Sequence, residues 1–169
     1  PVFYTFPPDS PNLAVLLEEG TDAQKKKYVE PLVRGEISTA IMISEPDAGG
    51  DPSRMKCRAV KEGENWVLNG RKIWISNAKS SDFFITFAVT GRKENGKPEV
   101  TSFLIDKGQK GLIIGPEVPM LGGWRTYEVL MEDCRLELDA VLGKVGNGWA
   151  PLQKRLNTRR LEISCWAIG

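Results

Sequence analysis

The stretch that most restricts this chain is residues 39–51, TAIMISEPDAGGD. Residues 40–43 are apolar, rich in isoleucine and closed by turn residues, which predicts a short buried strand. After Ser44 the backbone cannot stay in a ladder, because Pro46 has no N–H to donate. Gly49 and Gly50 permit positive φ, so successive N–H groups can converge on an anion with no Cβ in the way. A strand that ends in a hydroxyl and opens into a cluster of amides is one way to hold a ring and a phosphate together. The same residues also suit a plain loop between two strands, since glycine loops carry weak specificity.

A second stretch, residues 72–77, KIWISN, complements the first. Side chains alternate along a strand, so Ile73 and Ile75 share one face and Trp74 and Ser76 the other. The isoleucines suit a core. A flat aromatic beside a hydroxyl can cover a planar heterocycle and hydrogen-bond its edge. The same tryptophan also suits packing against another domain.

Composition removes several classes of chemistry. The chain has 169 residues, a length that fits one domain, with a hydrophobic fraction of 41%, enough for a core. It has no histidine, which excludes Ser-His and Cys-His nucleophile pairs and most zinc or iron sites. Lys+Arg 23 against Asp+Glu 22 leaves a net charge of +1 and no basic footprint for nucleic acid or a membrane surface. No apolar run approaches the roughly 20 residues of a membrane span. Cys57, Cys134 and Cys165 are odd in number and far apart; all three are expected as small buried hydrophobes in a reducing compartment. A protein without these tools either binds or borrows chemistry from an organic cofactor.

Along the chain, proline-rich residues 2–11 read as irregular, followed by a helix through Leu13, Leu16 and Leu17 that stops at Gly20. Thr21 and Gln24 form a capping-box pattern for a second helix, which Pro31 breaks or kinks and Gly35 ends. Lys25, Lys26 and Lys27 read as its solvated face. From Ser38 the period changes to two. Met55, Cys57 and Ala59 alternate with charged residues, residues 62–65 form a turn, and Asn69-Gly70 is a strong hairpin signal. Residues 83–89 are apolar almost throughout, as in a central strand. Further strands are expected at 100–106, 112–119 and 128–138, the last interrupted near 132–135. From Trp149 the period returns to helical, with Leu152, Leu156, Ile163 and Ala167 on one face. Many short strands with regular turns predict a sandwich or barrel.

The two stretches together resemble the flavin site of the acyl-CoA dehydrogenase family. That family carries a motif similar to T/S-E-P-x-A-G-S-D, followed by N-G-x-K-x-W-I-T/S-N. Here they stand as SEPDAGGD at 44–51 and NGRKIWISN at 69–77. A third family element, L-N/D-x-x-R, matches LNTRR at 156–160. The three occur in order, and the likeness runs from about Leu13 to Gly169. It implies a mainly β chain with flanking helices: the end of an N-terminal helical domain at 1–36, an antiparallel β-barrel middle domain at 37–145, and the start of a C-terminal helical domain at 146–169. The first residue, Pro1, and the helical pattern at Gly169 are expected of a piece of a longer protein.

The resemblance further implies bound FAD and oxidation of an acyl-CoA thioester to its 2,3-enoyl-CoA. Ser44 would bond the pyrimidine edge of the flavin, helped by backbone at Ile41, Met42 and Ile43. Trp74 would lie against the ring system, with Ile75 beside it, and Ser76 would reach the nitrogen that accepts the hydride. Gly49 and Gly50 would sit near the phosphates. Fixed donors serve best where negative charge develops. Ser44 and Ser76 replace the commoner threonine. Gly50 stands where many members have a serine that touches the pantetheine arm, so only its backbone is left for substrate. Asn157 and Arg160 match acyl-CoA-contacting positions, and Arg159 is expected in solvent. Glu45 is expected as a structural carboxylate rather than the base, which the family takes from a helical region outside this chain; no catalytic residue is assigned here. Implied partners are the acyl-CoA, an electron-transfer flavoprotein as acceptor, and further copies of the chain in a dimer or tetramer. The implied location is cytoplasmic in a bacterium, or mitochondrial matrix or peroxisome in a eukaryote. Residues 7–13 and 18–37 look closest to members acting on longer chains. Two other readings stand beside this one: an acyl-CoA oxidase on the same fold, and a cofactor-free β-barrel interaction module in which Trp74, Ser76, Gly49 and Gly50 are packing details.

Overall fold

The structure, a computed structural model, describes residues 10–121 and 125–168, without the side chains of Ser10, Pro52 and Trp166. Residues 2–9 of the stretch expected to be irregular lie outside it. Helix α1 (Ser10–Glu19) already contains Pro11, near its start where a missing N–H costs least. It buries Val15 and Leu16, and its last turn closes with Gly20 N–H donating to Leu16 O (3.0 Å). Helix α2 (Asp22–Gln24) has the expected capping box: Gln24 N–H donates to Thr21 Oγ1 (3.2 Å) and Thr21 N–H to Gln24 Oε1 (3.0 Å). A π-helical turn (Lys25–Val29) leads into α3 (Glu30–Val33). Pro31 therefore does not end the helix. It falls in the first turn of α3, and the wide turn before it accommodates the ring. Gly35, at φ +71°, ends the segment: its N–H reaches Leu32 O (3.1 Å) while Glu36 N–H reaches Pro31 O (2.9 Å).

Eight strands follow: β1 (Thr39–Met42), β2 (Arg58–Glu62), β3 (Asn65–Ser76), β4 (Phe83–Arg92), β5 (Pro98–Asp106), β6 (Leu112–Pro119), β7 (Arg125–Glu137) and β8 (Val141–Leu142). They form one sheet in the order β6-β7-β3-β2-β4-β5-β8, with β1 paired to β4. The mainly β architecture with flanking helices is as expected. The sheet is mostly antiparallel, consistent with the expected middle β-domain, but it is mixed and not closed: β6 and β8 end the ladder, and β4 takes β1 and β2 as parallel partners on one side. Residue periodicity does not encode which strand pairs with which, so closure was beyond its reach.

β4 is the central strand, with Phe83, Phe84, Ile85 and Phe87 all buried. Phe103 of β5 meets Trp66 edge-on, with ring centroids 5.5 Å apart, and Tyr28 of the π turn packs on Phe83 at 4.6 Å. The residues after β8 lead into α4 (Trp149–Ile168), whose Leu152 is fully buried. Beyond Leu156 the expected inner face turns outward, with Ile163 and Ala167 exposed.

Asn69-Gly70 is not a hairpin. It lies inside β3, and the turn between β2 and β3 is at Gly63-Glu64, within the turn expected at 62–65. Gly70 instead sits at a bulge where β3 shifts register against β7. A Cβ there would lie 2.7 Å from Cys57 Cα, so glycine answers a close backbone approach. Asn69 spans the same bulge: it accepts from Asp133 N–H (3.0 Å), on the residue where β7 takes φ +46°. The expected interruption of β7 is this bulge, not a break.

Candidate functional site

The two signature stretches meet. β1 ends at Met42, and Ile43 and Ser44 lead into a tight turn in which Glu45 and Ala48 exchange backbone hydrogen bonds (Glu45 N–H to Ala48 O, 3.0 Å; Ala48 N–H to Glu45 O, 3.1 Å). Ile73 N–H of β3 donates to Ser44 O at 2.9 Å, which brings the Ser44 turn against the Trp74 strand. Ser44 and Ile73 are half-buried, and Trp74 and Ser76 are exposed, Trp74 at 50%.

The simple alternation expected of KIWISN does not hold. A second register shift lies between Lys72 and Ile75, and these two, not Ile73 and Ile75, point into the core. Trp74 occupies the bulge at φ +61°, a left-handed conformation that is unfavourable for a bulky side chain. The bulge turns the indole to solvent, one residue after the backbone bond to Ser44. Backbone strain on an exposed aromatic is of no use to core packing and points to a surface kept for contact.

Lys72 is the residue that sequence reasoning missed. Its side chain is fully buried, and its ammonium donates to Glu45 Oε1 (2.8 Å), Phe87 O (2.8 Å) and Ile43 O (3.2 Å). Three donors meet three acceptors, so the group is satisfied. Glu45, also buried, accepts in addition from Lys56 N–H (2.6 Å) and Cys57 N–H (3.1 Å). It is a hydrogen-bonded structural carboxylate, as expected, with no free edge to act as a base. The one sequence signal was opposite charge: the first motif carries Glu45, Asp47 and Asp51, and the second Arg71 and Lys72.

The glycine turn is built differently from expectation. Neither Gly49 nor Gly50 takes positive φ, both are exposed, and a Cβ on either would meet nothing within 4 Å. The loop's acidic groups are occupied by the loop itself. Asp51 accepts from Ser53 Oγ (2.6 Å) and Ser53 N–H (3.0 Å), which holds its carboxyl below the usual range. Lys56 does the same for Asp47 across 2.6 Å.

The side chain of Met42 lies in the core and that of Ile75 is also buried; Ile41 and Ile43 are half-buried. Met42 and Ile75 therefore offer a ligand backbone only. Asn157 and Arg160 are exposed on α4, with Arg160 Nη1 donating to Asn157 Oδ1 at 3.3 Å. Arg159 is half-buried and paired with Glu162 at 3.0 Å, so it is not the solvated residue expected. Cys57 and Cys134 are buried as expected, and burial pushes each thiol up to about 11, whereas Cys165 is exposed. Among the described residues, no group of three or more His, Cys, Asp and Glu could hold a metal, and no helix is long and apolar enough to cross a membrane.

Residues 40–134, more than half of the chain, match the family described as "Acyl-CoA dehydrogenase, middle domain". The chain is 44% identical over 167 residues to (R)-benzylsuccinyl-CoA dehydrogenase of Thauera aromatica, a match covering 98% of this chain and 41% of that protein. Among solved structures it superposes on butyryl-CoA dehydrogenase from Megasphaera elsdenii with a TM-score of 0.81 and 32% identity, covering 85% of this chain and 38% of that one. It also superposes on a structure described as the FAD complex of PigA, with a TM-score of 0.78, 33% identity, and coverage of 85% and 38%. The chain spans about two fifths of the length of these relatives. With its motifs, its fold and its relatives in agreement, the chain belongs to the acyl-CoA dehydrogenase family.

Proposed function

We propose that this chain supplies the flavin-facing surface of an FAD-dependent acyl-CoA dehydrogenase, an oxidoreductase acting on a CH–CH bond of a CoA thioester. The observation that carries the reading is the bond from Ile73 N–H to Ser44 O, which ties the Ser44 turn to the strand just before the strained, exposed Trp74. That surface fits a flat, polar-edged ring: Trp74 offers an aromatic face, while Ser44 offers a hydroxyl from the turn after β1 and Ser76 one from β3. FAD bound there supplies the hydride acceptor for oxidation of an acyl-CoA to the 2,3-enoyl-CoA.

The chain's own residues bind and orient. Ser44 Oγ–H is assigned to the pyrimidine edge. The carbonyls of Met42, Ile43 and Ser44 accept from Thr86, Lys72 and Ile73, and backbone at Ile41, Met42 and Ile43 is proposed to help. Trp74 shields one side of the ring from water, with backbone at Ile75 beside it, and Ser76 places a donor where negative charge develops. Gly49 and Gly50 leave open space at the turn, which suits close approach by the phosphates and, at Gly50, by the pantetheine arm. Asn157 and Arg160, already bonded to one another, are proposed as contacts for the CoA portion. In this reading residues 37–145 are the flavin-holding domain, with 1–36 and 146–169 belonging to helical domains on either side. The whole protein would act as a homo-oligomer and pass electrons to an electron-transfer flavoprotein.

The experiment is a panel of acyl-CoAs, including butyryl-CoA, benzylsuccinyl-CoA and longer chains, offered to the full-length protein with an electron-acceptor dye. The reading expects a yellow protein whose visible band bleaches with one or more of these thioesters. A protein that stays colourless after incubation with FAD overturns it, and peroxide release under air replaces the dehydrogenase with an oxidase.

A further inference from the structure

β4 changes its parallel partner part-way along its length. Phe83 to Thr86 pair with β1, and Val89 pairs with Arg58 at the start of β2. The first ladder stops at Met42 and Thr86, so the carbonyls of Ile43 and Phe87 lie one residue beyond it. The Lys72 ammonium bonds both of them. Its partner Glu45 collects the N–H groups of Lys56 and Cys57, which lead into β2, while Cys57 O accepts from Val89 N–H at 2.8 Å. The ion pair thus fills the seam between two strands that share β4. Immediately beside it, Ile73 N–H holds Ser44 O, and the next residue is the left-handed Trp74.

We propose that Lys72 and Glu45 are positioning residues for the flavin surface. They fix the strand seam, and through it the bulge that presents Trp74 beside Ser44. The inference rests on the flavin reading above and adds a role for two residues that do not face the ligand. A pair retained only for stability is replaceable by uncharged groups of similar volume. A pair that positions the bulge is not, because no uncharged side chain at position 72 can bond both carbonyls and Glu45 at once.

The test uses the full-length protein carrying Lys72→Met, Glu45→Gln, both together, or Glu45→Asp. Three quantities are read: unfolding of the apoprotein, FAD affinity, and the shape of the bound flavin's visible band. The double variant is expected to recover stability relative to Lys72→Met, since no charge is left buried alone. It is still expected to bind FAD about tenfold or more weakly, with an altered band, because the surface has shifted. Wild-type affinity and band shape in the double variant overturn the proposal. Should the position 72 variants fail to fold, Glu45→Asp keeps both charges and shortens only the carboxylate arm. Weaker FAD retention in that variant supports the proposal, and an unchanged affinity and spectrum overturn it. A colourless wild type after reconstitution defeats the flavin reading first and this inference with it, and that outcome is visible before any variant is made.

Discussion

β3 carries two bulges a few residues apart, and they solve different problems. At the first, Gly70 lets the strand pass so close to Cys57 that any side chain would collide. At the second, the chain puts one of its largest residues, Trp74, in a left-handed conformation and turns it to solvent. The first bulge is shaped by packing, and the close approach to Cys57 outweighs the entropic cost of a glycine in a strand. The second has no packing reason for its residue, and it is anchored from below by Lys72 and Glu45. On the proposed flavin reading, the strained, exposed Trp74 beside the buried Lys72–Glu45 pair is the part of the strand that faces the ligand.

The contrast can be broken most severely at the anchor. Lys72→Met leaves the Glu45 carboxylate buried without its cation, and the loss expected is about 3–5 kcal/mol, read by chemical unfolding; a loss below about 1 kcal/mol would mean the pair holds nothing. Next comes Gly70→Ala. The added methyl must push back the Cys57 backbone, at about 1–3 kcal/mol in the same assay.

The Cys57 thiol under the first bulge gives a pH handle. Burial raises its folded-state value from 9.0 to about 11, so between those values the folded state holds more protons than the unfolded. The stability this contributes is fully present below pH 9 and lost as pH rises towards 11, by at most about 1.4 kcal/mol per pH unit for one group. Comparing wild type with Cys57→Ala across that range isolates it: the alkaline slope should shrink in the variant.

A fourth test isolates the backbone at the second bulge. Trp74→Gly and Trp74→Ala both remove the indole, but only alanine keeps a Cβ in the left-handed region. Glycine should be the more stable of the two by about 1 kcal/mol, the reverse of the usual order in a strand. The smallest effect belongs to the loop's outer pair. Lys56 and Asp47 are both largely exposed, and Asp47→Asn is expected to leave the unfolding midpoint unchanged within error.

Much of this was legible in residue order, and the gaps have physical causes. The β1 and β4 runs were readable because each is short, apolar and bounded by turn residues. Glu45 was readable as structural because the site chemistry needed no base from it. Lys72 was hidden by the assumption of strict alternation, which gave the core face to Ile73 and Ile75: one extra residue in a strand exchanges the faces, and Lys72 becomes the most buried cation among the described residues. Asn69-Gly70 misled because the residues that favour a tight hairpin also favour a bulge, and only the register against β7 separates them. Pro31 marked an irregularity but not its form, a π-helical turn just ahead of it. Arg159 was assigned to solvent, and the turn of α4 instead set it against Glu162. Gly49 and Gly50 were read as permitting positive φ; neither uses it, and both leave room rather than bend the chain.

The most direct measurement is the FAD affinity of the full-length protein with Trp74 intact and as Trp74→Gly, titrated by flavin absorbance at matched stability. A loss of about tenfold or more in the variant is the result expected if the strained indole is held out for the ring. Equal affinity in the two proteins would contradict that, and would return Trp74 to an ordinary surface residue.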